Sequence, residues 1–499
     1  MDQLSRRAFI TEAARVSVLA SLGAFAGTLP IHAESSPGPT PAVSASKASR
    51  PNIVILVADD YGWGDVGYHG STIRTPNIDR LAGEGAALER FYVFPVCSPT
   101  RAGLLTGRNP LRHGITGTFK PADAGLSLDE HLLPETFRAA GYQTWMCGKW
   151  HLGGFTDPAY LPMNRGFDHF YGHLGGAIDY FQHVNRELNQ VDWQRNGVTV
   201  QEEGYSTDLL TQEAIGLIEK RDPARPFLLY LPFNAAHGPH SAPGSWLAQY
   251  AGVGDRKART HSAVVSAMDA AIGRLFEALD KQGIANNTLT VFFGDNGSQS
   301  SAGAGSNRPL RGEKGTVWDG GIRVPAWIHW PGVISSGARN ETFLSVMDVF
   351  PTLAGVTGVP TGNKLPFDGR DRWEAIRAIA PSLPDRIVIG QGKDLAVLDG
   401  EWKYVELPEE GEKHLFRIGQ DPSEEHDCAA EQPETLTKLA AIAHEIASDS
   451  HSTKLKGAGA KPKGSGGKAS KRAPDAKPGE GKGGDRRQGT RRRENQKSL

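Results

Sequence analysis

Three runs of the chain are apolar at nearly every position and stop abruptly at polar residues. Asn52-Ile53-Val54-Ile55-Leu56-Val57-Ala58 ends in Asp59-Asp60, and Leu289-Thr290-Val291-Phe292-Phe293 ends in Gly294-Asp295-Asn296-Gly297. Phe227-Leu228-Leu229-Tyr230-Leu231 runs into a loop bearing Asn234 and His237. Unbroken, largely β-branched or aromatic runs of this length predict strands buried on both faces. Between the last two, Val264, Ala267, Met268, Ala271, Ile272, Leu275 and Leu279 recur at helical spacing and predict a helix from about residue 261 to 282. Strands alternating with helices predict an α/β fold with a mixed central sheet flanked by helices. In such sheets chemistry is expected at the carboxyl ends of the strands.

After about residue 366 the pattern shortens. Arg386-Ile387-Val388-Ile389-Gly390 and the stretch from Ala396 to Val405 predict short strands, the second a hairpin turning at Asp399-Gly400. His414-Leu415-Phe416-Arg417-Ile418 adds another, and an Ala/Leu-rich helix is expected from about Glu434 to Ala447. These elements predict a small antiparallel sheet with a closing helix. The expected organisation is a large α/β domain over 51–365 and a C-terminal subdomain over 366–450.

Composition adds little for the middle of the chain, at 38% hydrophobic and 22% charged residues, ordinary for a globular protein. The ends differ. Arg6-Arg7 precede a modestly apolar stretch from Val16 to Leu29, too short for the roughly 20 residues that span a bilayer. With Pro30-Ile31-His32-Ala33 as a cleavage site, residues 1–33 resemble a twin-arginine signal peptide, which implies the export machinery as a partner and a periplasmic or extracellular destination. Residues 34–50 read as a flexible Ser/Pro/Ala linker. Residues 451–499 carry 15 Lys/Arg against 4 Asp/Glu, so a formal net charge of −1 conceals a tail of +11 and a remainder of −12. That tail is expected to be disordered. It has no aromatic residue for base stacking, so nucleic acid is not an expected partner, whereas salt-sensitive contact with an anionic polymer is. Only three cysteines occur, Cys97, Cys147 and Cys428, fewer than a disulfide-held exported protein carries.

Cys97 opens the segment Cys97-Ser98-Pro99-Thr100-Arg101, continued by Ala102-Gly103-Leu104-Leu105-Thr106-Gly107-Arg108. This segment resembles the principal signature of the type I sulfatases, the formylglycine-dependent, arylsulfatase-like branch of the alkaline-phosphatase-like superfamily. Gly141-Tyr142-Gln143-Thr144-Trp145-Met146-Cys147-Gly148-Lys149-Trp150-His151-Leu152-Gly153 is similar to the second signature of that family, with Cys147 where a small residue is usual. The resemblance covers most of residues 51–430. It implies that a maturation enzyme oxidises Cys97 to formylglycine, whose hydrate offers one hydroxyl to attack sulfur and a second to expel sulfate, dividing one hard hydrolysis into two steps. It implies that Lys149 lies near the substrate sulfate, that His151 bonds the formylglycine hydroxyl, and that Arg101 holds that hydroxyl as a fixed cation.

Asp59, Asp60, Asp295 and Asn296 supply hard oxygen donors at two strand ends, a set that suits one Ca²⁺ and suits zinc poorly. Substrate sulfate and the modified Cys97 would complete the shell. A divalent ion there stabilises charge on the sulfuryl group and lowers the pKa of the attacking hydroxyl. For the leaving group, His237 in Asn234-Ala235-Ala236-His237-Gly238-Pro239-His240 resembles the family histidine beside the bridging oxygen, and Lys314 in Arg311-Gly312-Glu313-Lys314-Gly315 its partner lysine. His240 is the alternative to His237, or a substrate contact.

The function expected is hydrolysis of sulfate esters, of sulfated carbohydrates or aryl sulfates. The alternatives are a phosphonate or phosphodiester hydrolase of the same superfamily and a non-catalytic binder of sulfated glycans. Specificity is expected in loops 61–71, 172–183 and 299–309, with His173, Asp179 and Tyr180 as sugar contacts.

Overall fold

The computed structural model describes residues 50–378 and 386–448. The expected signal peptide (1–33), the linker (34–50) save its last residue, and the basic tail (451–499) lie outside the described residues. Ten strands form the main sheet. In chain order they are β1 (Asn52–Ala58), β2 (Ala86–Leu88), β3 (Gln143–Lys149), β4 (His169–His173) and β5 (Gln194–Arg195). Then come β6 (Val198–Thr199), β7 (Phe227–Pro232), β8 (Thr288–Gly294), β9 (Ala326–His329) and β10 (Ala338–Asn340). The spatial order is β10-β2-β9-β8-β1-β7-β3-β4-β5-β6. The central five, β8-β1-β7-β3-β4, are parallel, and antiparallel strands flank them on both sides.

The unbroken apolar runs have the expected cause. Along β1, Ile53, Ile55 and Val57 enter one core, while Val54, Leu56 and Ala58 enter the other. Both faces are covered, so every position after Asn52 is apolar. Leu104 and Leu105 of α2 (Cys97–Thr106) belong to the first core. The second takes Ile78 of α1 (Pro76–Glu84), Leu210 of α3 (Ser206–Lys220) and the stripe Val264, Ala267, Met268, Ala271 and Leu275 of α4 (Arg256–Lys281). α4 begins earlier than its apolar stripe predicts. Asp255 caps it by accepting from the Ala258 N–H at 2.7 Å, and its first turn is polar.

The C-terminal sheet is an antiparallel meander of β11 (Ile387–Gln391), β12 (Asp394–Asp399), β13 (Trp402–Leu407) and β14 (Glu412–Arg417), with the expected hairpin pairing Asp399 with Trp402. One face, with Ile389, Leu398 and Val405, joins the first core of the large domain. The other, with Val397, Tyr404 and Leu415, packs beneath Leu439 and Ile442 of α5 (Pro433–Ser448). Lys403, wholly buried, places its Nζ 2.7 Å from both Asp319 Oδ1 and Glu424 Oε1. All three cysteines are free.

Candidate active site

Because the central strands are parallel, their carboxyl ends share one edge, and the polar residues after them converge. Asp59 and Asp60 follow β1, and Asp295 and Asn296 follow β8. Lys149 ends β3 with His151 two residues on, and the loop 233–240 follows β7. Backbone bonds lock these ends together. The Asp295 N–H donates to Ala58 O at 2.9 Å, Asp59 N–H to Ala235 O at 2.8 Å and Ala236 N–H to Asp59 O at 2.6 Å. Asp60 and His151 each take φ of 55°, a left-handed backbone that costs of order 1 kcal/mol or more outside glycine and clusters at functional sites.

Cys97 is the first residue of α2, follows an extended Val96 and is buried. Its thiol donates to Asp59 Oδ1 at 3.4 Å. Burial, and then Asp295, push that thiol well above the ordinary cysteine range, so the unmodified side chain is a poor thiolate. Asp59 Oδ2 accepts from Lys149 Nζ at 2.6 Å. One turn along α2, Arg101 donates from Nη2 and Nε to Asp295 Oδ2 at 2.7 and 3.2 Å, and from Nη1 to the Lys149 carbonyl at 2.8 Å. Burial opposes its charge, but Asp295 and Asp59 outweigh it and raise its pKa.

Asp60 is the hub of the other half. Its N–H donates to Asp295 Oδ1 at 3.1 Å, and its Oδ1 accepts from Asn296 Nδ2 at 2.8 Å and lies 2.7 Å from Lys314 Nζ. His237 Nε2 lies 3.7 Å from Asp60 Oδ2. Burial would raise the Asp60 carboxyl, yet Lys314 and then His237 hold it below the usual range. Lys149 and Arg101 are almost wholly buried, and Lys314, at 15% side-chain exposure, is the more open cation.

The expected metal donors, with Cys97, Arg101, Lys149, His237 and Lys314, meet in this cluster. His151 is one step removed: its Nε2 faces Phe119 O at 3.1 Å and its buried Nδ1 has no protein partner. Ser98 on α2 donates to the His151 carbonyl at 3.0 Å and accepts from the Phe119 N–H at 3.1 Å, tying both loops to the helix that carries Cys97. Asn296 Oδ1 is also buried without a partner. The atoms of Asp59, Asp60, Cys97 and His237 lie within 4.8 Å of one another, a spacing one metal ion could bridge.

The expected sugar contacts are otherwise engaged. Tyr180 is fully buried, with its hydroxyl 3.0 and 2.9 Å from the carbonyls of Asn234 and His237. Asp179 accepts from the N–H groups of Phe181, Gln182 and Val184. His173 is buried, with Nδ1 3.0 Å from Gly175 O. Tyr180 thereby ties the loop after β4 to the loop after β7, while Asp179 and His173 bond within their own segment. Two residues were not singled out in the sequence: Asp65, within the loop 61–71 where specificity is expected, and His261, on a helix whose pattern signals only structure. His261 Nε2 lies 3.4 Å from Asp65 Oδ2, and its Nδ1 lies 3.5 Å from His240 Nε2.

A family model described as Sulfatase matches residues 51–359. Arylsulfatase J of Mus musculus is 36% identical over 350 residues, 67% of this chain and 57% of that protein. N-acetylgalactosamine-6-sulfatase of Mus musculus is 35% identical over 355 residues, 66% of each. The chain thus spans less than two thirds of the length of these two relatives. The crystal structure of Ps i-CgsB in complex with k-i-k-neocarrahexaose superposes with a TM-score of 0.75 at 33% identity, covering 81% of this chain and 94% of that one.

Proposed function

The chain belongs to the sulfatase family, and on that premise we propose that it hydrolyses sulfate esters of carbohydrates, with Cys97 matured to formylglycine and one Ca²⁺ at the strand ends. The observation that carries this reading is the set of three buried carboxylates, Asp59, Asp60 and Asp295, interleaved with the cations Lys149, Arg101 and Lys314 around one cysteine. A carbohydrate substrate is supported by the likeness to Ps i-CgsB, whose crystals held k-i-k-neocarrahexaose.

The residues fit a calcium ion. Their donors are hard oxygens, and Asn296 Oδ1 is a buried acceptor that no protein group satisfies. Asp59, Asp60, Asp295 and Asn296 would hold it. When bound, such an ion supplies Lewis-acid stabilisation of the sulfuryl oxygens. Formylglycine in place of Cys97 supplies a hydrated aldehyde as the nucleophile, where the buried thiol would be a poor one.

The other side chains have separable tasks. Arg101, fixed by Asp295 and the Lys149 carbonyl, keeps a permanent positive charge one helical turn from Cys97. Lys149 presents its ammonium to Asp59, within the same group of charges, and attracts the sulfate. Two groups can assist departure of the sugar oxygen. Burial lowers Lys314, but the acidic groups around it outweigh that and keep its ammonium charged, so it can donate or stabilise directly. His237 places Nδ1 2.5 Å from Gly238 O, which puts the hydrogen on Nδ1 and leaves Nε2 as a lone pair. Burial first brings its pKa down to about 4 despite Asp60, so it donates from Nε2 only after taking up a proton. Lys314 is therefore placed as a fixed positive charge beside the departing oxygen, with His237 as its partner against Asp60.

The signal-like residues 1–33 support export through the twin-arginine machinery. The segment Cys97-Ser98-Pro99-Thr100-Arg101 supports the formylglycine-generating maturation enzyme as a second partner.

The test is sulfate release, by ion chromatography, from sulfated galactans and aryl sulfates beside matched phosphate and phosphonate esters. Sulfate should be released, the Cys97→Ala variant should release none, and chelation should abolish activity until Ca²⁺ is restored. Preference for the phosphorus esters would move the assignment to a phosphonate or phosphodiester hydrolase. Retention of sulfated polymer without release would make the protein a binder.

A further inference from the structure

The loop after β7 carries a second histidine whose hydrogen position is dictated by its surroundings. His240 Nε2 lies 2.7 Å from the carbonyl oxygen of Ala236, a group that only accepts, so the ring hydrogen must be on Nε2. The same edge of the ring faces a second histidine. Asp65 Oδ2 stands 3.4 Å from His261 Nε2, and Asp65 is held by N–H donors from Gly62 at 2.9 Å and Ser306 at 2.8 Å. His261 Nδ1 lies 3.5 Å from His240 Nε2, on the same edge of the His240 ring that meets the Ala236 carbonyl. Asp65 and His261 are 1% and 2% exposed, so water does not compete for these bonds.

The consequence falls on the other edge of the ring. His240 Nδ1 must be a lone pair, and no hydrogen bond among the described residues reaches it. His240 is only partly buried. Residue 238 is glycine, and a Cβ there would stand 3.9 Å from Nδ1, against the edge that is left open. The Ala236 carbonyl that fixes the ring belongs to the residue between Asp59's backbone partner, Ala235, and His237. Burial, and then His261, bring His240 down to about 4, so the ring stays neutral at neutral pH.

We propose that His240 is a specificity residue whose Nδ1 accepts a hydrogen bond from a free hydroxyl of the substrate sugar, adjacent to the sulfate being removed. This rests on the sulfatase reading and narrows its substrate class. A hydroxyl can donate to that lone pair, whereas a second sulfate ester offers only lone pairs of its own and is repelled. The site thus selects sugars whose neighbouring position is unsulfated. On substrates sulfated at both positions, another enzyme must act first.

The test uses holoenzyme carrying Ca²⁺ and whichever of galactose 2-, 4- and 6-sulfate it hydrolyses, with the monodeoxy analogues and, for each hydroxyl removed, the disulfate bearing the second sulfate at that position. In the unaltered enzyme, removing one particular hydroxyl should lower kcat/KM about tenfold, the scale of one hydrogen bond. Sulfation of that same hydroxyl should lower it further. In His240→Phe, loss of that hydroxyl should change kcat/KM by less than about twofold, abolishing the coupling between residue and hydroxyl. Deoxygenation that costs both enzymes equally, or a disulfate cleaved as fast as the monosulfate by the unaltered enzyme, would overturn the proposal. The second comparison needs no variant, so it stands even if His240→Phe fails to fold. Hydrolysis of aryl sulfates with no turnover of any galactose sulfate would also overturn it. Failure on every sulfate ester, aryl included, would instead bring down the sulfatase reading itself.

Discussion

Lys314 and His237 both lie against Asp60, but they differ in what they can give to a departing oxygen. Lys314 holds a charged ammonium beside both Asp60 oxygens, at 2.7 and 2.8 Å, while His237 turns a lone pair toward the same carboxylate. A sugar alkoxide needs a proton or a fixed positive charge, whereas a nitrophenolate leaves without one. Lys314→Ala should therefore lower kcat/KM on sugar sulfates by about 10²–10⁴-fold and on activated aryl sulfates by about tenfold or less. His237→Ala should show the same leaving-group bias with a smaller loss. The check is the dependence of rate on leaving-group pKa across a series of aryl sulfates, which should steepen in both variants. Equal losses across the series would assign these residues to binding.

At the scale of elements, the site depends on how closely three parallel strands approach where their carboxyl ends meet. Gly148 on β3 takes φ of 138°, and a Cβ there would fall 1.9 Å from the Pro232 carbonyl on β7. No other residue fits between the strand that ends in Lys149 and the one that feeds His237. Gly148→Ala should destabilise the protein by about 3 kcal/mol, read as a lower Tm, and should cut kcat even at temperatures where the variant is folded. An unchanged Tm would mean the strands part without cost. The same elements show what could be read beforehand. Apolar runs ending in Asp59-Asp60 and Asp295-Asn296 gave both the strands and the donors, because a strand covered on both faces is apolar at nearly every position and turns charged only where it leaves the sheet. The last two strands on one side of the sheet, β5 and β6, two residues each, carry no such pattern. Asp65 and His261 were illegible for a different reason: they meet across 196 residues of sequence, through a contact that neither segment announces alone. Tyr180 was legible as functional but misplaced, since an exposed aromatic and one bonded to two carbonyls look alike in sequence.

For the molecule as a whole, histidines buried in neutral form link stability to acidity. His113, away from the metal donors, is pushed down to about 3 by burial and then by Arg108 and Arg112. A folded pKa below the unfolded value near 6.5 gives stability that is fully present above pH 6.5 and is lost as the pH falls toward 3. For this one residue the loss is about 2 kcal/mol between pH 6.5 and pH 5. The urea midpoint should fall across that interval, and His113→Gln should flatten the fall. An identical pH profile in the variant would exclude His113 as the source. The charge division along the chain makes a further prediction, because residues 451–499 carry a formal +11 against −12 elsewhere. Deleting them should weaken retention on sulfated polysaccharide at low salt and leave retention at high salt unchanged. Equal retention of both forms at low salt would remove the tail from substrate capture.

The whole account turns on what Cys97 becomes. Mass spectrometry of the peptide carrying it, from active protein made in its native host, tests this most directly. The account predicts a mass loss matching conversion of thiol to aldehyde, in a fraction that tracks sulfate release from one preparation to the next. Fully active protein with an unmodified Cys97 would contradict it.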